Sequence, residues 1–279
     1  YRPTTNGTTL FPWVEIDGNL QPSVQDDLSD AGLSLIAAPT LGAVPDLTLI
    51  AEWRGRLWGV SRNEVDYLRY SEAGRMYAWL AASSILIPKL GSDTRGITAL
   101  VPRKESLVLG RLNNIQQIAG TEAANFRPVK VTEQAGIISQ ESAVTYRDDV
   151  FFLWYDGVYR LSGDGLTCIS DGKVRSWFTT DTYFNRARFQ YAFGLIDPIR
   201  HRYKLFLANA GDSVENRWIE YDIAKGTWGG PHKTDAVTTL TNAVIVIQSD
   251  DTLMPMIGNS TGFLWKEQST ATDDTATGI

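Results

Sequence analysis

Residues 142–172 read SAVTYRDDVFFLWYDGVYRLSGDGLTCISDG. An apolar run, VFFLW, stands between the turn pairs Asp148-Asp149 and Asp156-Gly157. A second run, VYRLS, ends at another glycine turn. Asp-Gly between apolar segments is a hairpin signal, because both turn residues tolerate the positive φ that a tight turn demands. This stretch therefore predicts four short antiparallel strands in sequence: SAVTYR, VFFLWY, VYRLSG and LTCISDG.

The same cadence extends in both directions. Upstream lie DLTLIAEW, RLWGVS, EVDYLRYSE and AWLAASSILIP, then GITALVP, SLVLGR, NIQQIAG and FRPVKVTE. Downstream lie ARFQYAFGLIDP, RYKLFLAN, RWIEYDI and TWGG, then AVTTLTN, AVIVIQS, LMPMIGN and GFLWKEQ. The first turn of each unit falls near Gly55, Glu105, Asp149, Arg200 and Asn242, at gaps of 50, 44, 51 and 42 residues. Four strands per 40–50 residues is the period of propeller blades. The second strands, RLWGV, SLVLG, VFFLW, YKLFL and AVIVI, are nearly continuous in apolar residues. Such runs suit strands covered on both faces by neighbouring sheets. The fold expected is all-β, a β-propeller of five or six four-stranded antiparallel blades over residues 46–268. Residues 1–45 are expected to form an arm or partial blade, and 269–279 a flexible tail leading out of the domain. A large β-sandwich, or two small β domains, would account for the strands but not for their spacing.

Composition agrees. Nine Trp, eleven Tyr and ten Phe favour strands, and 24 Gly with 11 Pro supply turns. The net charge of −6 argues against a general nucleic-acid surface. The single cysteine, Cys168, rules out an internal disulfide and a cysteine metal site, and fits folding in a reducing compartment. No signal peptide and no membrane-length apolar run is read, so no membrane insertion is expected. The ragged ends read as places where a longer chain was cut or became disordered. Helical character is confined to SVQDDLSDAG and to TDTYFNRARFQY, the latter with Thr179, Thr180 or Asp181 as its cap.

Chemistry is sparse. His201 and His232 stand apart in loops, with no metal-ligand spacing. No nucleophile elbow, phosphate loop or EF-hand loop is present. The carboxylate pairs Asp26-Asp27, Asp148-Asp149, Asp250-Asp251 and Asp273-Asp274 sit in turns, loops or the tail. Of the strands expected to line a central channel, Glu52 supplies the one acid, a poor lining for glycoside hydrolysis. No catalytic residue, cofactor or metal is assigned, and the chain is not read as an enzyme. Arg186, Arg188, Arg200 and Arg202 are candidate interface residues, on hairpins that could face each other. Trp79 and Trp228 are candidate ligand platforms. The hairpin YDIAKGTWGG resembles the strand–turn–Trp unit of kelch-like blades, in which the Trp is structural.

Residues 52–74 (EWRGRLWGVSRNEVDYLRYSEAG), 131–165 and the following SDGKVRSWF resemble segments of propeller-containing structural proteins of tailed-bacteriophage tails and necks, of the tail hub or nozzle type. The resemblance implies a virion component assembled in the host cytoplasm. It also implies contacts with copies of itself in a ring, with other virion proteins, and with a host receptor or glycan. Nucleic acid would meet it only within a tail channel. The resemblance assigns no site residues. The alternatives are a carbohydrate- or receptor-binding propeller, a propeller glycoside hydrolase and a kelch-like adaptor.

Overall fold

A computed structural model describes residues 45–233 and 239–266, apart from 92 and 94, together with 2–3 and 10–11. A short ladder pairs β1 (Arg2–Pro3) with β2 (Leu10–Phe11). Five meandering antiparallel sheets follow in chain order. The first holds β3 (Leu47–Trp53), β4 (Arg56–Ser61), β5 (Tyr67–Tyr70) and β6 (Ser84–Leu86). The second holds β7 (Ala99–Pro102), β8 (Leu107–Gly110), β9 (Ile115–Ala119) and β10 (Arg127–Thr132). The third holds β11 (Val144–Tyr146), β12 (Asp149–Trp154), β13 (Gly157–Ser162) and β14 (Gly165–Cys168). The fourth holds β15 (Phe193–Asp197), β16 (Arg202–Ala208), β17 (Glu215–Asp222) and β18 (Thr227–Lys233). The fifth holds β19 (Leu240–Ile247), β20 (Leu253–Asn259) and β21 (Leu264–Lys266).

First strands of successive sheets lie side by side: β3 by β7, β7 by β11, β11 by β15, and β15 by β19. The sheets pack face to face along this row. Trp53, Trp58 and Leu68 meet Leu100 and Leu109 between the first two sheets. Val101 and Val108 meet Val150 and Phe152 between the next two. Phe151 and Leu153 meet Tyr203 and Leu205 between the third and fourth. Phe151 and Phe152, both fully buried, thus point into different cores. Alternation along a strand sends neighbours to opposite faces, and both faces of β12 are covered. That is why VFFLW carries no polar residue. Full burial of each Phe contributes about 1.5–3 kcal/mol.

The turns after the first strands clasp one another at equivalent places. Arg54 reaches Glu105 at 2.9 Å, and Trp53 Nε1 donates to the Arg103 carbonyl at 2.9 Å. Arg103 in turn donates to the Asp148 carbonyl and pairs with its carboxylate at 2.7 and 2.9 Å. Tyr146 hydroxyl hydrogen-bonds His201 Nδ1. The acid pair Asp148-Asp149 is split between two sheets' ion pairs, Asp148 with Arg103 and Asp149 with Arg160.

Two expectations are corrected. AVTTLTN and AVIVIQS are not separate strands, because residues 240–247 form the single strand β19. Asn242 makes a β-bulge opposite Gly258 instead of a turn, its side-chain oxygen accepting from the Ala243 amide. The first turn of the fifth unit therefore comprises residues 248–252, and among the described residues this sheet has three strands. TDTYFNRARFQY is also shorter than expected as a helix. A four-residue α1 (Ser176–Thr179) precedes a 3₁₀ turn at Arg186–Tyr191, and the cap of the latter is Asn185, whose side chain accepts from Ala187 at 3.1 Å. SVQDDLSDAG lies outside the described residues, as do Asp26-Asp27 and Asp273-Asp274.

Candidate functional site

The face of the fourth sheet turned toward the fifth gathers aromatic and ionic side chains in rows. Register fixes its rows. Phe193, Phe206, Trp218 and His232 stand opposite one another across β15, β16, β17 and β18. Their rings form a ladder, with centroids 4.6, 6.1 and 5.3 Å apart and interplanar angles of 10°, 32° and 27°. The next row is Leu195, Lys204, Glu220 and Gly229. The last is Asp197, Arg202, Asp222 and Thr227.

The fifth sheet covers the ladder with Leu240, Ala243, Ile245 and Ile257. Beyond it the face turns ionic. Lys204, 1% exposed, sends Nζ to 3.3 Å from Glu220 Oε1. Arg202 Nη1 donates to Glu220 Oε2 at 2.7 Å, and Trp218 Nε1 donates to Oε1 at 3.4 Å. Burial pushes the Glu220 carboxyl upward. Lys204, Arg202 and the nearby His232 outweigh it and hold the group below its ordinary range. Asp197 accepts from the Ile199 and Arg200 amides at 3.0 and 3.1 Å and pairs with Arg200, fixing the β15–β16 turn.

A second polar cluster follows β8. Arg111, 1% exposed, donates to the Arg95 and Ile87 carbonyls at 2.6 and 3.0 Å and lies 2.8 Å from Asp66. Asp66 also pairs with Lys89 at 3.2 Å. Burial would raise the Asp66 carboxyl, but the two cations hold it below the usual range. This cluster ties the first sheet's β4–β5 connection to the second sheet. Burial raises the Tyr159 and Tyr203 hydroxyls, Tyr159 with Asp156 adding to the effect.

The arginines singled out from sequence fall in two places. Arg188 makes a two-pronged pair with Glu215 at the start of β17, its guanidinium 3.9 Å from the Tyr191 ring centroid. Arg202 meets Glu220 toward the other end of the same strand. Arg186 and Arg188 lie in the 3₁₀ turn, so the two arginine pairs do not face each other across hairpins. Trp79 is 3% exposed and Trp228 is half-buried, its indole donating to the Ile169 carbonyl at 3.0 Å and its ring 5.0 Å from Tyr221. Trp79 is thus buried, and Trp228 packs against Tyr221. Trp218, Glu220, Lys204 and His232 were not singled out from sequence. The available signal was the alternation of Lys204 with Phe206 and of Trp218 with Glu220, which places each pair on one face. Asp197 joins Glu52 as an acid on a first strand, but its carboxylate is tied up in the turn. Among the described residues, no group of three His, Cys, Asp or Glu side chains is placed to hold a metal ion. No helix among them is long and apolar enough to cross a membrane.

These sheets define an all-β domain of repeated antiparallel four-stranded units. No family model and no curated protein matches the chain. Solved structures similar to it include the extracellular domain of the hybrid two component system BT4673 from B. thetaiotaomicron, at 12% identity over 81% of this chain and 28% of that one, with TM-score 0.46. Hsv2 of Kluyveromyces lactis is 8% identical over 82% and 62%, with TM-score 0.45. A streptogramin B lyase is 13% identical over 83% and 72%, with TM-score 0.45. The chain thus spans under a third of the BT4673 domain. No function follows from likenesses of this degree.

Proposed function

We propose that the five sheets are blades of a β-propeller and that the domain is a rigid platform in a phage tail or neck, bound to copies of itself and to other virion proteins. The observation that carries this reading is the row of adjacent first strands, with turns clasped at equivalent positions from sheet to sheet. Side-by-side first strands are what a radial arrangement needs, and a ring protects the end sheets. The two end faces are suited to contact. Ile50 and Leu86 on the first sheet are 57% and 55% exposed, and Val244 and Leu264 on the fifth are 50% and 65% exposed. The segments at 52–74 and 131–165 that resemble phage tail proteins support the virion assignment. Electron microscopy of the purified chain tests the proposal. Rings built of multiple copies, with blades around each domain's axis, are expected. A single-copy particle with no blade-like axis would sink it.

A second reading, a carbohydrate- or receptor-binding propeller, is favoured by the aromatic and ionic face of the fourth sheet.

A further inference from the structure

We propose that the fourth sheet carries a saccharide-binding site for a neutral hexopyranose, formed by His232, Trp218, Glu220 and Arg202. The proposal rests on the second reading above and is independent of the virion assignment.

The site begins where the apolar contact between the last two sheets ends. Ile245 packs on the fourth sheet, but Ile247, two residues on and so on the same face of β19, is 68% exposed. The fifth sheet therefore leaves Arg202 and the adjoining edge of β18 open at this end, while Lys204 and most of Glu220 stay buried beneath them. The Arg202 side chain, 39% exposed, opens to solvent there. On β18 the position opposite Glu220 is Gly229. A Cβ at that position would meet only His232 Nε2, at 4.0 Å, so the strand is bare beside the carboxylate. Exposed Gly229 and Gly230 form a shallow floor between Thr227 and His232.

The groups around this floor fit a sugar. His232 ends the aromatic ladder, with Trp218 stacked behind it, so its ring is held as a flat wall. A hexopyranose presents an apolar C–H face, which packs against such a wall, and hydroxyls at its edge. Adjacent hydroxyls need both an acceptor and a donor. Glu220 supplies carboxylate lone pairs, and Arg202 supplies guanidinium N–H groups beyond the one that meets Glu220. Both are pre-aligned by their 2.7 Å contact and by Lys204 and Trp218 behind them. Rigid, pre-formed groups lower the ordering cost of binding. The described charges in these rows are three carboxylates, Asp197, Glu220 and Asp222, and two cations, Arg202 and Lys204. The surplus of carboxylates disfavours an acidic ligand.

The test is saturation-transfer NMR on the purified chain. The probes are glucose, galactose, mannose and N-acetylglucosamine, with glucuronic and N-acetylneuraminic acid as acidic comparators. Transfer to C–H protons of at least one neutral sugar is expected. His232→Ala and Arg202→Ala, each with thermal unfolding close to that of the parent, should weaken it roughly ten-fold. Trp79→Phe, in the β5–β6 connection of the first sheet, should leave it unchanged. Absence of transfer to every neutral sugar overturns the proposal. So does transfer to the acidic sugars alone, or transfer that survives both substitutions. Ring assembly seen by microscopy is unaffected by any of these results.

Discussion

Replacing Arg111 by Met should remove about 3 kcal/mol of stability. The Met side chain keeps most of the aliphatic volume, so the loss comes from the guanidinium. Two carbonyls, of Ile87 and Arg95, lose their donor, and Asp66 loses one of two cations. Breaking a buried ion pair from one side typically costs about 3–5 kcal/mol. The lower end applies, because Asp66 is 23% exposed and keeps Lys89 at 3.2 Å. Urea unfolding followed by tryptophan fluorescence should show the midpoint falling by roughly 1–2 M at unchanged slope. Arg111→Lys should fall between the two proteins, since an ammonium keeps the charge but cannot serve both carbonyls and the carboxylate in one plane. Adding Asp66→Asn to Arg111→Met should cost less than Asp66→Asn alone, because its main partner is already gone. A loss under about 1 kcal/mol for Arg111→Met would refute the reasoning, as would strict additivity of the two substitutions.

Three further outcomes follow from the same structure. Asp66 and Glu220 titrate below their unfolded values of 3.8 and 4.5, so the native state binds fewer protons there. Stability present above those values should be lost as pH falls through the folded pKa, and Glu220→Gln should flatten the decline of the urea midpoint between about pH 5 and about pH 3. Gly136→Ala should destabilise by about 1–3 kcal/mol in the same assay, because the added Cβ would lie 2.2 Å from the Arg111 carbonyl oxygen, which is backbone and cannot swing away. Phe206→Ala should cost about 3–5 kcal/mol and, in native-state hydrogen exchange, lower protection of the amides at 243–247 more than those of β12. Equal loss in both would mean that the fifth sheet is not held through the ladder.

Four of the five units could be read from sequence because their turns carry Gly, Asp or Pro and their second strands are continuously apolar. The fifth misled because Asn242 has turn chemistry yet sits in a bulge. A bulge and a turn draw on the same side-chain-to-backbone bond, and only the partner strand distinguishes them. The site was hidden for a different reason. Phe193, Phe206, Trp218 and His232 are far apart in sequence, and only the registers of three strand pairs set them in one line. His232 looked like a loop residue after Gly-Gly-Pro, whereas it is a strand residue opposite Trp218. Trp79 was a candidate platform in AWLAASSILIP, yet it sits in a loop that folds back on hydrogen bonds from Glu72 to the Ala78 carbonyl and from Ala78 to the Arg75 carbonyl, with its indole buried.

The fourth sheet also bears on how the fifth is held. Each of the first three inter-sheet cores runs along its strands in apolar side chains. The fourth core is apolar for the row of the aromatic ladder and for Leu195, and then meets Lys204, Glu220 and Arg202. The buried Lys204–Glu220 pair offers β19 no apolar surface to pack on, and its burial carries a desolvation cost. Ile247 stays exposed, Lys204 and Glu220 are buried, and the ionic rows meet solvent chiefly at Arg202. Of these charges, Arg202 is the one that opens to a ligand. Lys204→Met with Glu220→Leu should thus tighten the contact, raising protection of the β19 amides, while abolishing sugar binding. If protection fell instead, the ionic row would be holding the fifth sheet rather than limiting it.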